Sequence, residues 1–274
     1  MSDTDDGDRA EIGVIGGSGF YRLLDDHRTA EVGTPFGAPS GAVSLGTVAG
    51  RRVAFIPRHG SDHALPPHRI NYRANLWALR SLGVRQILAP CAVGSLRGEL
   101  GPGSIVVPDQ LVDRTSGRVQ TFYDVGAVHA SFADPYCADG RAAALRAAAE
   151  AGEAAHDGGT MVVVEGPRFS TRAESRWFTA AGWSLVNMTG HPEAVLAREL
   201  ALCYTSLALV TDLDAGVGAE DSVEQEAVFE VFARNTERMR ALVLGTVALL
   251  PEKEKRSCGC ATALDGLPLP FPLP

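Results

Sequence analysis

The sequence predicts an α/β protein with a mixed, largely parallel β-sheet in a single domain, and three observations support this. Short apolar runs rich in β-branched residues alternate with helix-like stretches along the chain. Several of the helix-like stretches end in glycine, a common helix stop. Residues 11–250 contain no low-complexity linker and no internal repeat. We therefore expect one domain over 11–250, preceded by a disordered acidic lead (1–10) and followed by a tail (251–274).

The individual elements follow from these patterns in chain order. The predicted strands are 11–17, 41–50, 51–57, 84–94, 104–112, 159–167, 184–188 and 202–212. The predicted helices are 70–83, 139–152, 170–182, 191–201 and 222–250. The tail reads PEKEKRSCGC and then DGLPLPFPLP. Its prolines cannot continue a helix, so we expect a loosely packed or partner-wrapping extension.

Composition excludes several classes of protein. The chain has 274 residues and a formal net charge of −8, which argues against a generic basic nucleic-acid binder. The acidic N-terminus lacks the order of a signal peptide, and no apolar run approaches the ~20 residues that span a bilayer. The spacing of the five cysteines does not suggest an extracellular disulfide framework. We expect a cytoplasmic enzyme without nucleic-acid or membrane partners.

Three strand ends carry small or cationic residues that suit an anion. In VIGGSGF, glycine backbone N–H groups and the Ser18 hydroxyl can approach an anion, although a plain tight turn is the alternative. Arg58 and His59 follow the strand 51–57 and offer positive charge where α/β proteins bind ligands, with a surface turn as the alternative. Cys91 and Ala92 leave the backbone accessible at a third strand end. We interpret Cys91 as a small buried apolar residue, not a nucleophile.

Two later segments offer groups suited to a flat ring. Phe169 lies where a predicted strand meets a helix and could stack on a base, with Ser170 as a candidate N-cap. Asp212 and Asp214 alternate at the end of an apolar strand, so their side chains should point the same way. A Mg²⁺ site is the rival interpretation of this pair. Because no second acidic cluster would complete such a site, we expect no bound metal.

Taken together, several segments resemble the purine nucleoside phosphorylase superfamily, and within it the methylthioadenosine phosphorylase branch. They are GVIGGSGF, RHG, PHRINYRANLWAL, SGR-x-QTFYD (116–124), HASFADPYC (129–137), EGPRFSTRAES, NMT-x-x-PE and TD-x-D. The resemblance covers nearly all of residues 12–250, and the order of the motifs makes it specific. It implies a distorted, barrel-like sheet flanked by helices, usually in a homotrimer, although trimer and hexamer are not distinguished.

The resemblance also implies roles for individual residues. The implied phosphate-binding residues are Ser18, Arg58, His59, Cys91, Ala92 and Thr189. The implied substrate-binding residues are Met188 under the sugar, Phe169 against the base, Asp212 and Asp214 at the base edge, and His129, contributed by an adjacent subunit near the 5′ substituent. Ser170 and Val223 are candidate specificity residues, and Val223 or its neighbours, with the His129 region, are expected to line an apolar pocket for the 5′ thioether. Cys91 departs from the family pattern, since many members have threonine there.

The residue types fit phosphorolysis, in which phosphate attacks the anomeric carbon of a nucleoside through an oxocarbenium-like state. Phosphate is then the nucleophile and co-substrate, and we expect no other cofactor. Asp212 is the expected catalytic acid that protonates N7 of the leaving purine. A carboxylate at 214 accepts a hydrogen bond from a 6-amino group but repels a 6-oxo group. We therefore expect cleavage of 5′-methylthioadenosine to adenine and 5-methylthioribose 1-phosphate, in purine and methionine salvage.

Other functions remain open at this stage. Gly190 and His191 depart from the bulkier apolar residues of some adenine-specific members, which keeps a 6-oxopurine nucleoside or methylthioinosine phosphorylase possible, and plain adenosine is not excluded as the substrate. A nucleoside hydrolase and a non-catalytic nucleoside-binding protein are further alternatives. Cys258 and Cys260 form a CxC pair of a kind found in some thermostable relatives. The pair is either a stabilising or isomerase-like disulfide or two free thiols.

Overall fold

The computed structural model describes residues 9–18, 20, 23–60, 62–218 and 222–274. Most of the predicted acidic lead therefore lies outside the described residues. Within the described ranges the chain forms five α-helices and an eleven-stranded sheet. None of those helices is long and apolar enough to cross a bilayer.

The strands largely follow the predicted apolar runs. They are β1 (Ile12–Gly16), β2 (Arg28–Ala30), β3 (Val43–Val48), β4 (Arg51–Pro57), β5 (Gln86–Ser95), β6 (Ile105–Val107), β7 (Gln110–Arg114), β8 (Ala155–Asp157), β9 (Thr160–Val164), β10 (Leu185–Asn187) and β11 (Cys203–Leu213). Each predicted strand has a counterpart. The prediction missed β2 and β8, which have three residues each.

The predicted helices are all present, with ends moved by a few residues. They are α1 (Tyr72–Ser81), α2 (Ala138–Glu150), α3 (Arg172–Ala180), α4 (Gly190–Glu199) and α5 (Gln225–Leu249). α3 begins one residue later than a Ser170 cap would allow. Its N-cap is Thr171, which forms a capping box with Glu174. Ser170 is therefore not the cap, and its side chain is available for another role.

The sheet is mixed and branches at β5. Its main path is β2-β3-β4-β1-β5-β10-β9-β7, and a second branch runs from β5 through β11 and β6 to β8. The neighbouring strands β4, β1, β5 and β11 are parallel to one another, whereas β3 is antiparallel to β4, β6 to β11 and β10 to β5. The sheet curves in a barrel-like manner without closing. The α/β class with a mixed, barrel-like sheet flanked by helices is thus confirmed.

Both faces of the sheet are buried, which explains the near-continuous apolar runs. On β1, Ile12 and Val14 belong to a core with α2 and α5, whereas Ile15 belongs to a core with α1 and α4. Alternate side chains of a strand point to opposite faces. The helices therefore form two layers around the sheet.

The C-terminal tail is packed more closely than predicted. After α5 it forms two short 3₁₀ turns, Lys253–Lys255 and Gly259–Thr262. Phe271 then contacts the rings of Trp77 and Tyr123, with centroid distances of 5.7 and 5.5 Å. The prolines prevent a helix, as expected, but the apolar side chains between them still pack on the main core.

Candidate active site

The predicted site residues converge because the strands that precede them are parallel. β1, β4, β5 and β11 run in the same direction, so the segments that follow them meet at one edge of the sheet. A cavity of about 310 Å³ lies at this edge. The predicted residues that line it are Ser18, Arg58, His59, Cys91, Ala92, Phe169, Ser170, Met188, Thr189, Asp212 and Asp214.

Arg58 is a buried wall of this cavity. It is 1% exposed and forms a two-pronged ion pair with Glu193, with Nε–Oε2 and Nη2–Oε1 distances of 2.7 and 2.8 Å. Nη1 and Nη2 also donate to the carbonyls of Pro90 and Ile15, each at 3.2 Å. A guanidinium has five N–H groups. Four are engaged by the residues that the structure describes, which leaves one N–H of Nη1 for an anion, and Glu193 pairs with the positive charge.

Gly17 is required at the entrance to this pocket. A Cβ added there would lie 2.8 Å from Nη1 of Arg58 and 2.8 Å from the Pro90 carbonyl oxygen. The turn of VIGGSGF thus passes directly over the guanidinium. This close approach explains the glycine at position 17 and brings its backbone near the arginine.

His59 is neutral, which changes the expected source of charge. Burial, together with the neighbouring charge of Arg58, lowers the pKa of its imidazole to about 3. Nδ1 lies 2.8 Å from the Leu65 carbonyl oxygen, so the proton belongs on Nδ1 and the Nε2 atom is an acceptor. The ring stacks on His63, with centroids 4.2 Å apart. His59 can accept a hydrogen bond from a protonated phosphate oxygen, but it does not add positive charge.

Asn187, whose motif was recognised without a role for it, organises the opposite wall. Its Oδ1 accepts from the backbone N–H groups of Thr189 and Gly190 at 2.8 and 2.7 Å. Its Nδ2 donates to the Ala92 carbonyl at 3.1 Å. The side chain therefore holds the end of β10 against the end of β5. Cys91, on that strand, is buried with its Sγ 3.4 Å from the Ser206 hydroxyl, and burial raises its thiol pKa.

A β-bulge places Asp212. The pairing of β11 with β5 shifts between Val210 and Asp212, so Thr211 is the extra residue. The Thr211 hydroxyl lies 2.8 Å from Asp212 Oδ2. Burial, assisted by the nearby charge of Asp214, raises the pKa of Asp212 to about 6, and the Thr211 hydrogen bond opposes this rise. A carboxyl group with such a pKa can hold and release a proton near neutrality.

Asp214 lies just beyond the end of β11 and is 3% exposed. Burial raises its pKa, and the nearby hydroxyls of Ser170 and Ser175 partly oppose the rise. Within the described part of the chain, Oδ2 of Asp214 and both hydroxyl oxygens are nevertheless buried without a hydrogen-bond partner. The serines are thus close to the carboxylate but not aligned on Oδ2. A buried acceptor of this kind needs a donor, and the cavity offers space for one.

Sequence reasoning missed the lining from α5. Gln225, Val228 and Phe229 line the cavity, and Phe229 contacts His63 edge-on at 5.6 Å. Val223, the predicted specificity residue, is half-buried but is not among the lining residues. The sequence analysis named Val223 or its neighbours, and the lining residues on this side of the cavity are two or more positions further along the chain.

Arg118 is a second residue that was not assigned a role. Its Nη1 donates to the carbonyls of Met188 and His191 at 2.8 and 2.7 Å, and its Nη2 donates to the Glu165 carbonyl at 2.5 Å. The side chain is 3% exposed. It therefore joins the two loops that present Met188 and Phe169 to the cavity. The signal in the sequence was the arginine of the SGR-x-QTFYD segment, but its partners are far away along the chain.

Two histidines named in the sequence analysis, the predicted site residue His129 and His191 of the family comparison, lie away from the cavity. His129 is exposed and does not line the cavity of its own protomer. His191 is buried with Nε2 3.2 Å from Asp113 Oδ2, and it does not line the cavity either. The unusual histidine at 191 is thus explained by packing beside Asp113. It does not itself contact a ligand in the cavity.

Comparisons with known proteins agree with this geometry. The chain is 60% identical to a purine nucleoside phosphorylase of Streptomyces coelicolor, with 97% of this chain and 98% of the relative covered. It is 56% identical to an S-methyl-5′-thioadenosine phosphorylase of Mycobacterium tuberculosis, with 96% and 97% covered. The structure of a Schistosoma mansoni methylthioadenosine phosphorylase in complex with adenine superposes with a TM-score of 0.85 at 39% identity, covering 88% of this chain and 92% of the other.

The family assignment follows from the same comparison. The family model described as phosphorylase superfamily matches residues 11–248, which is almost the whole of the predicted domain. The match includes every strand end that lines the cavity. The chain therefore belongs to the phosphorylase superfamily.

Proposed function

We propose that this chain cleaves 5′-methylthioadenosine by phosphorolysis, releasing adenine and 5-methylthioribose 1-phosphate for purine and methionine salvage. The observation that supports this most directly is the pair Asp212 and Asp214 in the cavity, one a carboxyl with a pKa near 6 and the other a buried unpaired acceptor. Relatives at 56% and 39% identity bear the name of this activity. Inorganic phosphate is the co-substrate, and we propose no other cofactor for the reaction.

Phosphate binds between the Ser18 turn, Arg58 and Thr189, opposite the two aspartates. The free Nη1 hydrogen of Arg58 and backbone N–H groups donate to its oxygens, and Nε2 of His59 accepts from its protonated oxygen. Phosphate then attacks the anomeric carbon while the bond to N9 of the base breaks. Its negative charge stabilises the oxocarbenium-like sugar, so no enzyme nucleophile is needed. Met188 lies beside the sugar in this arrangement.

Asp212 assists the departure of the base. The electrons of the broken bond pass into the purine ring, and N7 takes a proton from the Asp212 carboxyl. Phe169 faces the ring, and Oδ2 of Asp214 accepts a hydrogen bond from the 6-amino group. This acceptor lacks a partner in the described residues, so the 6-amino group of adenine satisfies a buried oxygen that the 6-oxo group of hypoxanthine, itself an acceptor, would leave unpaired.

The 5′ end of the substrate lies toward α5. Val228, Phe229 and His63 provide apolar and aromatic surface there, which suits a thioether better than a hydroxyl.

We propose a homotrimer in which His129 closes the 5′ region of an adjacent protomer. His129 is exposed on a long segment that also exposes Val119 and Val125, by 53% and 68%. Such apolar exposure is typical of an interface. The free cysteines suit the reducing cytoplasm, where we propose that the protein acts.

A purine release assay with methylthioadenosine, adenosine and inosine tests the proposal. The wild type is expected to favour methylthioadenosine and to lose turnover when phosphate is omitted. Asp212→Asn should reduce kcat, whereas Asp214→Asn should reduce adenine selectivity by allowing the amide to donate to a 6-oxo group. Undiminished cleavage without phosphate would indicate a hydrolase, and binding of adenine without turnover would indicate a binding protein.

A 6-oxopurine phosphorylase is the second candidate, because the relative at 60% identity is named a purine nucleoside phosphorylase. Burial raises the pKa of Asp214, and a protonated Asp214 could donate to a 6-oxo group. In that case the wild type would cleave inosine as fast as methylthioadenosine. The rate of inosine cleavage would decrease as the pH rises and Asp214 ionises. Cleavage of methylthioadenosine alone across the pH range would favour the first proposal.

A further inference from the structure

Four of the five cysteines form a cluster far from the active site. Cys137 is the N-cap residue of α2, Cys203 begins β11, and Cys258 and Cys260 lie in the tail at its second 3₁₀ turn. Their four Sγ atoms all lie within 4.8 Å of one another, and those of Cys203 and Cys258 are 3.5 Å apart. Eight strand residues lie between Cys203 and Asp212, and the nine steps along the strand span about 30 Å. The proposed phosphorolysis uses none of these thiols.

We propose that these four cysteines form a structural site for a zinc ion. Zn²⁺ prefers four thiolates in a tetrahedron with Zn–S bonds of about 2.3 Å, which places the sulfur atoms about 3.8 Å from one another. The cluster already has nearly this spacing, so binding requires only small side-chain movements. Cys137, Cys203 and Cys260 are buried, and Cys258 is half-buried. Four protein ligands in a closed environment are typical of structural sites, whereas catalytic sites keep an open position.

The backbone holds the ligands in place independently of their sulfur atoms. The amide of Cys137 donates to the Tyr204 carbonyl at 2.8 Å, and the amide of Cys203 donates to the Arg85 carbonyl at 3.0 Å. The Asp139 carboxylate accepts from the amides of Ser257 and Cys258 at 2.8 and 3.0 Å. The tail is therefore fixed beside α2 and β11 by hydrogen bonds, and the thiols are presented to a common point.

The surrounding charge also suits a bound metal. Zn²⁺ displaces the protons of four thiols, which leave as four H⁺, and the resulting centre has a net charge of −2. Arg256 lies two residues before Cys258, and its Nε is buried without a hydrogen-bond partner among the described residues. Arg85 also contacts the cluster, because its carbonyl accepts from the Cys203 amide.

A zinc ion at this site would crosslink the tail to the domain. The segment that it anchors continues to Phe271, which packs against α1. The expectation of no metal considered only Asp212 and Asp214, because the two distant cysteines gave no spacing signal. The main alternative is a pair of disulfides, whose formation removes four electrons and four protons and therefore requires an external oxidant. Thiolate ligands favour Zn²⁺ without any oxidant.

Metal analysis of the full-length protein, purified under reductant without chelator, tests the proposal. We expect one zinc per protomer, with four sulfur neighbours by X-ray absorption spectroscopy. Metal-free, reduced protein should bind one equivalent of Co²⁺ and show thiolate-to-cobalt charge-transfer absorption. Absence of both zinc and this absorption would overturn the proposal. So would a thiol titration of unreduced, denatured protein in which only Cys91 reacts, since that result would show two disulfides.

Variants separate this site from a general effect of cysteine loss. The double variant Cys258→Ser/Cys260→Ser should lose the zinc, and Cys91→Ser, which removes the cysteine outside the cluster, should retain it. A chelator should lower the Tm of the wild type, with recovery on addition of Zn²⁺, and should leave the Tm of the double variant unchanged. If the double variant does not fold, the zinc content and the cobalt spectrum of the wild type decide the question. Equal zinc content in the wild type and a folded double variant would contradict the assignment.

Discussion

Asp212 and Asp214 stand two residues apart, yet their surroundings prepare them for different tasks. Asp212 accepts a hydrogen bond from its neighbour Thr211 and has a pKa near 6. Asp214 is more deeply buried and has an unpaired oxygen within the described part of the chain. Environment, not residue type, separates the proposed proton donor from the proposed hydrogen-bond acceptor for the base.

The pH dependence of the reaction follows from Asp212. The acid must hold its proton, so kcat/KM should fall as pH rises through about 6, by about tenfold for each further unit. Asp212→Asn cannot transfer a proton, and its low residual activity should be flat over the same range. A pH profile of kcat/KM for both proteins checks this. An alkaline decline that persists in the variant would assign the titration to another group.

The same pKa shift predicts a stability cost. Folding raises the pKa of Asp212 from 3.8 to about 6, because the folded protein favours the protonated carboxyl group. The contribution of Asp212 to the free energy of unfolding is therefore fully present below about pH 3.8 and is lost as the pH rises through 6. The ionised group then opposes folding by up to about 3 kcal/mol. Asp212→Asn should therefore increase the free energy of unfolding at pH 7.5 and have less effect at pH 4.5.

Urea denaturation at the two pH values measures this difference. Asp26→Asn is the matched control, because Asp26 is exposed and its replacement should change stability by less than about 0.5 kcal/mol. An equal effect of Asp212→Asn at both pH values would show that packing, and not ionisation, causes the change.

At the scale of elements, the site depends on how closely β11 approaches β5. Gly94 of β5 pairs with Asp212, and a Cβ added to Gly94 would lie 3.0 Å from Asp212 Oδ1. Gly94→Ala should therefore displace the carboxyl by a few tenths of an ångström and lower kcat by about tenfold or more, with a small effect on Tm.

Gly98→Ala provides the control for this substitution. Gly98 follows the same strand, and a Cβ added there would have no atom within 4 Å. Steady-state kinetics should show near wild-type activity for Gly98→Ala. Equal activity of the two variants would show that the spacing between β5 and β11 does not position Asp212.

The elements also show where sequence patterns lose information. The apolar run 104–112 predicted one strand, but Pro108 removes a backbone donor and the chain changes partners there. β6 pairs with β11 and β8, whereas β7 pairs with β9. An apolar run predicts a strand, because the pattern of buried side chains is visible in neighbouring residues. It does not predict where one strand ends and the next begins, because that position depends on which other strands are available as pairing partners.

At the scale of the whole molecule, the tail completes the core. Phe271 contacts Trp77 and Tyr123, which belong to separate segments of the domain. Because the ring is only partly buried, Phe271→Ala should lower the free energy of unfolding by about 1–2 kcal/mol, less than a fully buried phenylalanine would.

Thermal or urea denaturation checks this prediction against Leu269→Ala. Leu269 lies on the same tail but is not part of the core cluster, so its replacement should have a smaller effect. Equal stability of wild type and Phe271→Ala would mean that the end of the tail does not contribute to folding in solution.

The sequence by itself determined the order of most strands and helices, the α/β class and eleven of the residues that line the cavity. These depend on local periodicity and on motifs whose residues lie at strand ends, and parallel strands bring their ends together. Only the tertiary structure decided that Arg58 pairs with Glu193, 135 residues away, and that His59 is neutral. It also decided which α5 side chains reach the cavity and that four cysteines meet. Distance, burial and pairing across the chain set these properties, and a linear pattern does not encode them directly.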